Sequence, residues 1–269
     1  MKRFYLSVLF LCSFGSLFAG GPSFAFCDYS QGKVFIQENG EIVWEHKAPD
    51  SNDIWVLPNK NILFTAGKEV LEVSRKNDTI FHYTSESNIF ACQRLKNGNT
   101  FIGECDNGRL LEVSPDGSIV KDVSILPFGV KTGGHAFMRN ARCLDNGHYL
   151  VAHYGGKSVV EYDENGKAVW NIPISGGAHS VIRLPSGNTL VAVTDKDNNP
   201  GVFEYDMAGN IVWSLTNKDL PGTLKFAGGM HYLSDGRLFL TNWVGHVDAK
   251  NPVHLLVIDK LSKKVLYKV

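Results

Sequence analysis

The sequence predicts an all-β protein: a six-bladed β-propeller of four-stranded antiparallel blades, with the first blade incomplete. Two repeats and one absence point there. A first hairpin turn recurs as LPNKN at Leu57, LKNGN at Leu95, LDNGH at Leu144, LPSGN at Leu184 and LSDGR at Leu233. These five copies stand roughly 40 to 50 residues apart, a period that belongs to repeat architectures. A second hairpin follows as IQENGEIVW (36–44), VSRKNDTIF (73–81), VSPDGSIV (113–120), YDENGKAVW (162–170), YDMAGNIVW (205–213) and IDKLSKKVL (258–266). Long helical periodicity is absent.

Each turn is rich in Asn, Asp and Gly, which tolerate the positive φ of tight hairpins. The runs between turns are rich in Val, Ile, Phe and Tyr, as strands require. Two hairpins per repeat give four strands, the unit of a propeller blade. Neighbouring blades then bury faces that no blade can bury alone. Six second hairpins argue for six blades. The first blade shows strands near 24–28, 32–37 and 41–46 only, so its inner strand is missing or lent by another part of the chain. Trp44, Trp170 and Trp213 share one register after the outer turn and are expected in equivalent packing positions.

Lys plus Arg and Asp plus Glu both total 27, so the formal charge is zero. A neutral chain gives no argument for nucleic acid as a partner. The start, MKRFYLSVLFLCSFGSLFAGGPS, reads as an export signal with a basic start, an apolar stretch and small residues after it. The expectation is a signal peptide over 1–19 and one propeller domain over 20–269. The mature chain is then periplasmic or secreted, without a membrane span, and monomeric. Cys27, Cys92, Cys105 and Cys143 match no zinc spacing and read as buried free thiols.

The stretches DIWVLPNKNILF, ACQRLKNGNTFI, HSVIRLPSGNTLV and EYDENGKAVW resemble bacterial exported propellers of the PQQ-like repeat type. The arylsulfotransferase-like propellers use similar repeats. The resemblance covers about residues 24–269 and specifies fold far more than function. Quinoprotein dehydrogenases of this class are typically eight-bladed, hold the quinone with calcium and often carry an adjacent cysteine pair. This chain has about six blades and no such pair, so no cofactor is expected. PQQ, or a metal ion held by His153, His179 and His231, is the alternative.

Strand one of a blade lines the channel, and its start lies on the same face as the end of strand two. Three such starts read as Gly133-Gly134-His135, Gly176-Gly177-Ala178-His179 and Gly228-Gly229-Met230-His231. The other starts offer Asp53 and Gln93. The ends of strand two offer Glu104, His153, Asn242 and Trp243, with His246 close behind. Arg139 and Arg142 flank one strand start. This ring is the expected ligand site: His135, Arg139, His153, His179, His231, Asn242, Trp243, His246, Asp53, Gln93 and Glu104. Three functions stay open. The first is an exported propeller that binds a polar small molecule, glycan or protein partner at the channel mouth. The second is a histidine-dependent enzyme, performing arylsulfotransferase-like group transfer or acting as a sugar lyase or hydrolase. His179, His231 and Arg139 are its catalytic candidates. The third is a scaffold for envelope assembly.

Overall fold

The computed structural model describes residues 21–127, 129–194, 200–244 and 253–269. The expected signal peptide lies outside the described residues. Strands arrange in chain order into six antiparallel sheets. Blade one holds β1 (Phe24–Asp28), β2 (Lys33–Glu38) and β3 (Glu41–Lys47). Blade two holds β4 (Ile54–Val56), β5 (Ile62–Ala66), β6 (Glu69–Val73) and β7 (Thr79–Thr84). Blade three holds β8 (Ile89–Arg94), β9 (Thr100–Glu104), β10 (Arg109–Val113) and β11 (Ile119–Ser124). Blade four holds β12 (Asn140–Cys143), β13 (Tyr149–His153), β14 (Ser158–Tyr162) and β15 (Ala168–Pro173). Blade five holds β16 (Gly177–Arg183), β17 (Thr189–Thr194), β18 (Gly201–Tyr205) and β19 (Ile211–Thr216). Blade six holds β20 (Ala227–Tyr232), β21 (Arg237–Asn242), β22 (Leu255–Asp259) and β23 (Val265–Lys268). The six-bladed propeller is the fold, and among the described residues blade one has three strands. No helix among the described residues is long and apolar enough to cross a membrane.

The core sits between blades. One apolar cluster joins Val34, Ile36 and Trp44 of blade one to Ile62 and Phe64 of blade two. Four more clusters fill the interfaces of blades two and three, three and four, four and five, and five and six. Among the described residues no such cluster joins blade six to blade one, where Tyr267 closes on Gly21. The missing strand explains the difference. β5, β9, β13 and β17 are buried throughout, whereas every residue of β1 is only half-buried. Among the described residues β1 pairs only with β2, so it forms the inner edge of its blade, and such an edge presents backbone groups open to pairing. The four cysteines among the described residues are free thiols; Cys92 and Cys105 are buried, and Cys27 and Cys143 are half-buried.

Every outer hairpin bulges at one place. The residues before the bulge are Ile36, Glu72, Glu112, Glu161, Glu204 and Val257. Opposite them stand Trp44, Phe81, Lys121, Trp170, Trp213 and Tyr267, so the three tryptophans do occupy equivalent positions. The repeated glutamate serves as a hinge pin between blades. Arg94, at the end of β8, donates from Nη2 to Glu72 of blade two at 2.6 Å and from Nη1 to the Gly98 carbonyl at 2.7 Å. Its guanidinium lies over Phe81 at 5.3 Å. Arg183, at the end of β16, repeats this with Glu161 at 2.6 Å, the Gly187 carbonyl at 2.8 Å and Trp170 at 4.8 Å. Blade four carries Cys143 at the arginine position, and Glu112 is held by Asn97 and Asn99 instead.

Two outcomes follow from this packing. Glu161→Ala leaves the largely buried Arg183 charge without its carboxylate and should cost roughly 3–5 kcal/mol in urea unfolding. A loss below about 1 kcal/mol would rank the pair with surface bridges. By hydrogen exchange, amides of 24–28 should exchange faster than those of 62–66, the equivalent strand of blade two. Equal protection would mean that something pairs the free edge of β1.

Candidate functional site

Counting back from the turn leucine finds the mouth of the channel. Five residues before Leu57, Leu95, Leu144, Leu184 and Leu233 stand Asn52, Phe90, Arg139, His179 and Gly228. The strand bulges here. Ile89 pairs with Glu104 and Ala91 with Gly103, which leaves Phe90 unpaired. Ala178 pairs with Val193 and Ser180 with Ala192, which leaves His179 unpaired. In β20 the irregularity falls between Ala227 and Met230, spanning Gly228. A bulge turns its extra residue out of the strand's alternation, and these side chains converge.

Arg139 is the centre of the convergence. Its Nη1 donates to His135 Nε2 at 3.0 Å. Its Nη2 reaches His179 Nε2 at 3.4 Å and Asn52 Oδ1 at 3.5 Å. Its guanidinium lies 4.3 Å from the centre of the Phe90 ring. A guanidinium only donates, so both imidazoles present a lone pair and are neutral. Burial pushes the His179 pKa down to about 3, Arg139 adds to the push and the Gly228 backbone offsets a little. Nδ1 of His179 is buried without a hydrogen-bond partner among the described residues. Burial and Arg139 also depress His135. An aromatic run leads away from the arginine: Tyr154 lies edge-on to His179, His179 to Phe226 at 5.1 Å and Phe226 to Trp243 at 5.2 Å. Gly177 makes room for it, because a Cβ there would stand 2.5 Å from the Tyr154 ring.

Three residues deeper lies a second layer of Trp55, Gln93, Arg142, Ile182 and His231. The free inner edges of successive strands need partners here. Asp53 accepts from the Cys92 amide at 3.0 Å, and Trp55 Nε1 donates to the Cys92 carbonyl at 2.6 Å. Gln93 makes the same pair of bonds to Cys143 at 3.1 and 3.2 Å. Arg142 of blade four holds Asp53 of blade two through two bonds, at 2.6 and 3.0 Å. That ion pair ties two non-adjacent blades over the inner edge of the third.

Among solved structures the chain is similar to a protein of unknown function from Bacteroides caccae, with a TM-score of 0.81 and 23% identity over 91% of this chain and 92% of that one. A streptogramin B lyase matches at TM-score 0.64 and 14% identity, over 92% of this chain and 79% of that one. Virginiamycin B lyase from Staphylococcus aureus matches at 0.62 and 12%, over 93% and 81%. These likenesses show the six-bladed propeller fold. They do not confirm the narrower PQQ-like or arylsulfotransferase-like grouping. No family model and no curated protein matches the chain.

The sequence-predicted residues fall into three groups. Arg139, His135 and His179 meet. Asp53, Gln93 and His231 belong to the deeper layer, where His231 lies edge-on to Trp55 at 6.4 Å. Glu104, His153 and Asn242 are engaged elsewhere. Glu104 is buried and accepts from Tyr83, Ser85, Asn107 and Arg109. His153 is bound at both ring nitrogens, by the Phe137 carbonyl at 2.8 Å and Tyr162 Oη at 2.9 Å. Asn242 binds four backbone groups between Thr223 and Val253. Trp243 closes the aromatic run, and His246 lies outside the described residues. His153, His179 and His231 therefore do not gather on one point. The glycine pairs are also not equivalent. Blade four begins its inner strand at Asn140, so His135 sits in the preceding loop, and His231 stands three residues beyond the position of His179. Asn52, Phe90 and Phe226 were missed; the first two become visible when the count starts from the turn leucine.

His179 stays neutral in the fold down to about pH 3, while the unfolded residue takes a proton near 6.5. The unfolded state thus binds more protons across that window, and stability falls as pH drops from 6.5 toward 3. His135, His153 and His231 are depressed too and act in the same direction. His179→Gln should flatten the dependence of Tm on pH below about 6.5. An unchanged slope would mean that the folded protein accommodates a protonated His179.

Proposed function

We propose that this chain is an exported, noncatalytic propeller that binds a polar small molecule or glycan at the channel mouth, around Arg139. The observation that carries the reading is the convergence of one repeat position from four successive blades, as Asn52, Phe90, Arg139 and His179, on a single guanidinium. Binding sites combine apolar and aromatic walls with a few polar groups that converge. Here the walls are Phe90, Tyr154, Phe226 and Trp243, and the polar groups are Arg139, His135 and Asn52. Export rests on the pattern of residues 1–19.

A histidine-dependent reaction fits the site less well. A base whose conjugate acid has a pKa near 3 is a weak proton acceptor at neutral pH. Burial is the larger cause of that low value, and the adjacent Arg139 charge is the second.

Thermal-shift titration against a panel of polar metabolites and oligosaccharides tests the proposal. A bound ligand at hundredfold excess over Kd stabilises by about 2.7 kcal/mol, which is several degrees of Tm. The gain should appear in the wild type and in Lys96→Ala, whose side chain is 88% exposed at the rim of the first hairpins, and vanish in Arg139→Gln. A ligand that stabilises Arg139→Gln equally binds elsewhere and overturns the reading.

A further inference from the structure

We infer that the group received by Arg139 is a singly charged oxyanion, a carboxylate foremost, carried on a ligand with a flat apolar body. The inference rests on the binding role proposed above and names the chemistry of that site.

Seven arginines lie among the described residues. Six pair with a carboxylate: Arg75, Arg94, Arg109, Arg142, Arg183 and Arg237. Arg139 is the exception. It is half-buried, and its polar neighbours are neutral: two imidazole lone pairs and an amide oxygen. Removing a guanidinium from water without a counter-charge is costly, and this fold supplies the counter-charge at every other arginine. Six paired cases show that the repeat readily places a carboxylate beside a cation, and among the described residues none stands beside Arg139, which leaves room for an external one.

Charge and geometry narrow the group. Arg142 is already neutralised by Asp53, so the arginines of the channel offer one net positive charge. A carboxylate matches it, whereas a dianionic phosphate would bring one negative charge too many into a half-buried site. The guanidinium carries five donors in one plane. The contacts to His179 and Asn52, at 3.4 and 3.5 Å, are long and yield readily to a carboxylate that takes two donors at once. Phe90 covers one face of the guanidinium plane, which leaves the edge for the ligand. The aromatic run from His179 through Phe226 to Trp243 then lies beside the body of the ligand, where a flat apolar group stacks or packs edge-on.

A matched set of probes tests this: benzoate, benzenesulfonate, phenyl phosphate and uncharged benzamide. Each is titrated near neutral pH while NMR follows the imidazole signals of His135 and His179. In the wild type, benzoate should move both signals saturably, and benzamide should bind at least about tenfold more weakly. Phenyl phosphate should bind no tighter than benzoate. Arg139→Gln should lose benzoate binding, and Arg139→Lys should retain part of it, because an ammonium keeps the charge without the planar fork. Without any probe, Arg139→Gln should melt no lower than the wild type, which shows that the lost binding is not lost folding. Benzamide binding as tightly as benzoate overturns the anion assignment and leaves the proposed binding role standing. Tighter phenyl phosphate overturns the single charge. No saturable shift with any charged probe overturns the inference, while the metabolite panel above decides the binding role separately.

Discussion

Burial between blades is the constraint on which everything else depends. Each sheet is thin, and its apolar side chains find partners only on the next sheet. The five core clusters each draw on two neighbouring blades. A blade's position is therefore set by its neighbours, and the position of any mouth residue is set by the blade. The Glu72–Arg94 and Glu161–Arg183 pairs add direction to this packing, since each arginine joins its own turn to the preceding blade and stacks on that blade's aromatic residue. Such pairs fix the rotation of one sheet on the next, which nondirectional apolar burial does not.

The two faces of the ring spend polar residues differently. On the face of the first hairpins, the buried glutamates Glu72, Glu161 and Glu204 are each paired with a cation. In the channel, Asp53, Trp55 and Gln93 satisfy the free edges of neighbouring inner strands. At the mouth this economy stops. Among the described residues Arg139 has no carboxylate partner, and His179 keeps a buried nitrogen without a partner. Other buried side-chain atoms without a partner, such as Trp44 Nε1, Thr100 Oγ1 and Trp213 Nε1, lie within the blades, so the arginine and not the lone nitrogen sets the mouth apart.

Blade one shows how local the consequences of a missing strand are. Blades two to six keep their inner strands and their register. The loss is confined to β1, whose side chains fall from full to partial burial, and to the junction with blade six. A ring of repeats behaves this way because each unit buries its apolar faces only against the units beside it.

The sequence by itself determined the repeat, the number of blades, the strand order within each and the incomplete first blade. These follow from local chemistry: turn residues that accept positive φ, and short strands rich in Val, Ile, Phe and Tyr between them. It also named Arg139, His135 and His179, by residue type. It misjudged their setting, because Gly-Gly followed by His looks like one motif but falls at three different distances from the turn leucine. The bulges at Phe90 and His179 were illegible, since one extra residue leaves no trace in a period-two pattern. Only the tertiary structure decided which polar residues are spent on packing and which are left over. His153 has two internal partners, Asn242 four, and Asp53 answers to an arginine 89 residues away. Pairings across a closed ring depend on how blades face one another over the channel, and that relation is not written in any local stretch of chain.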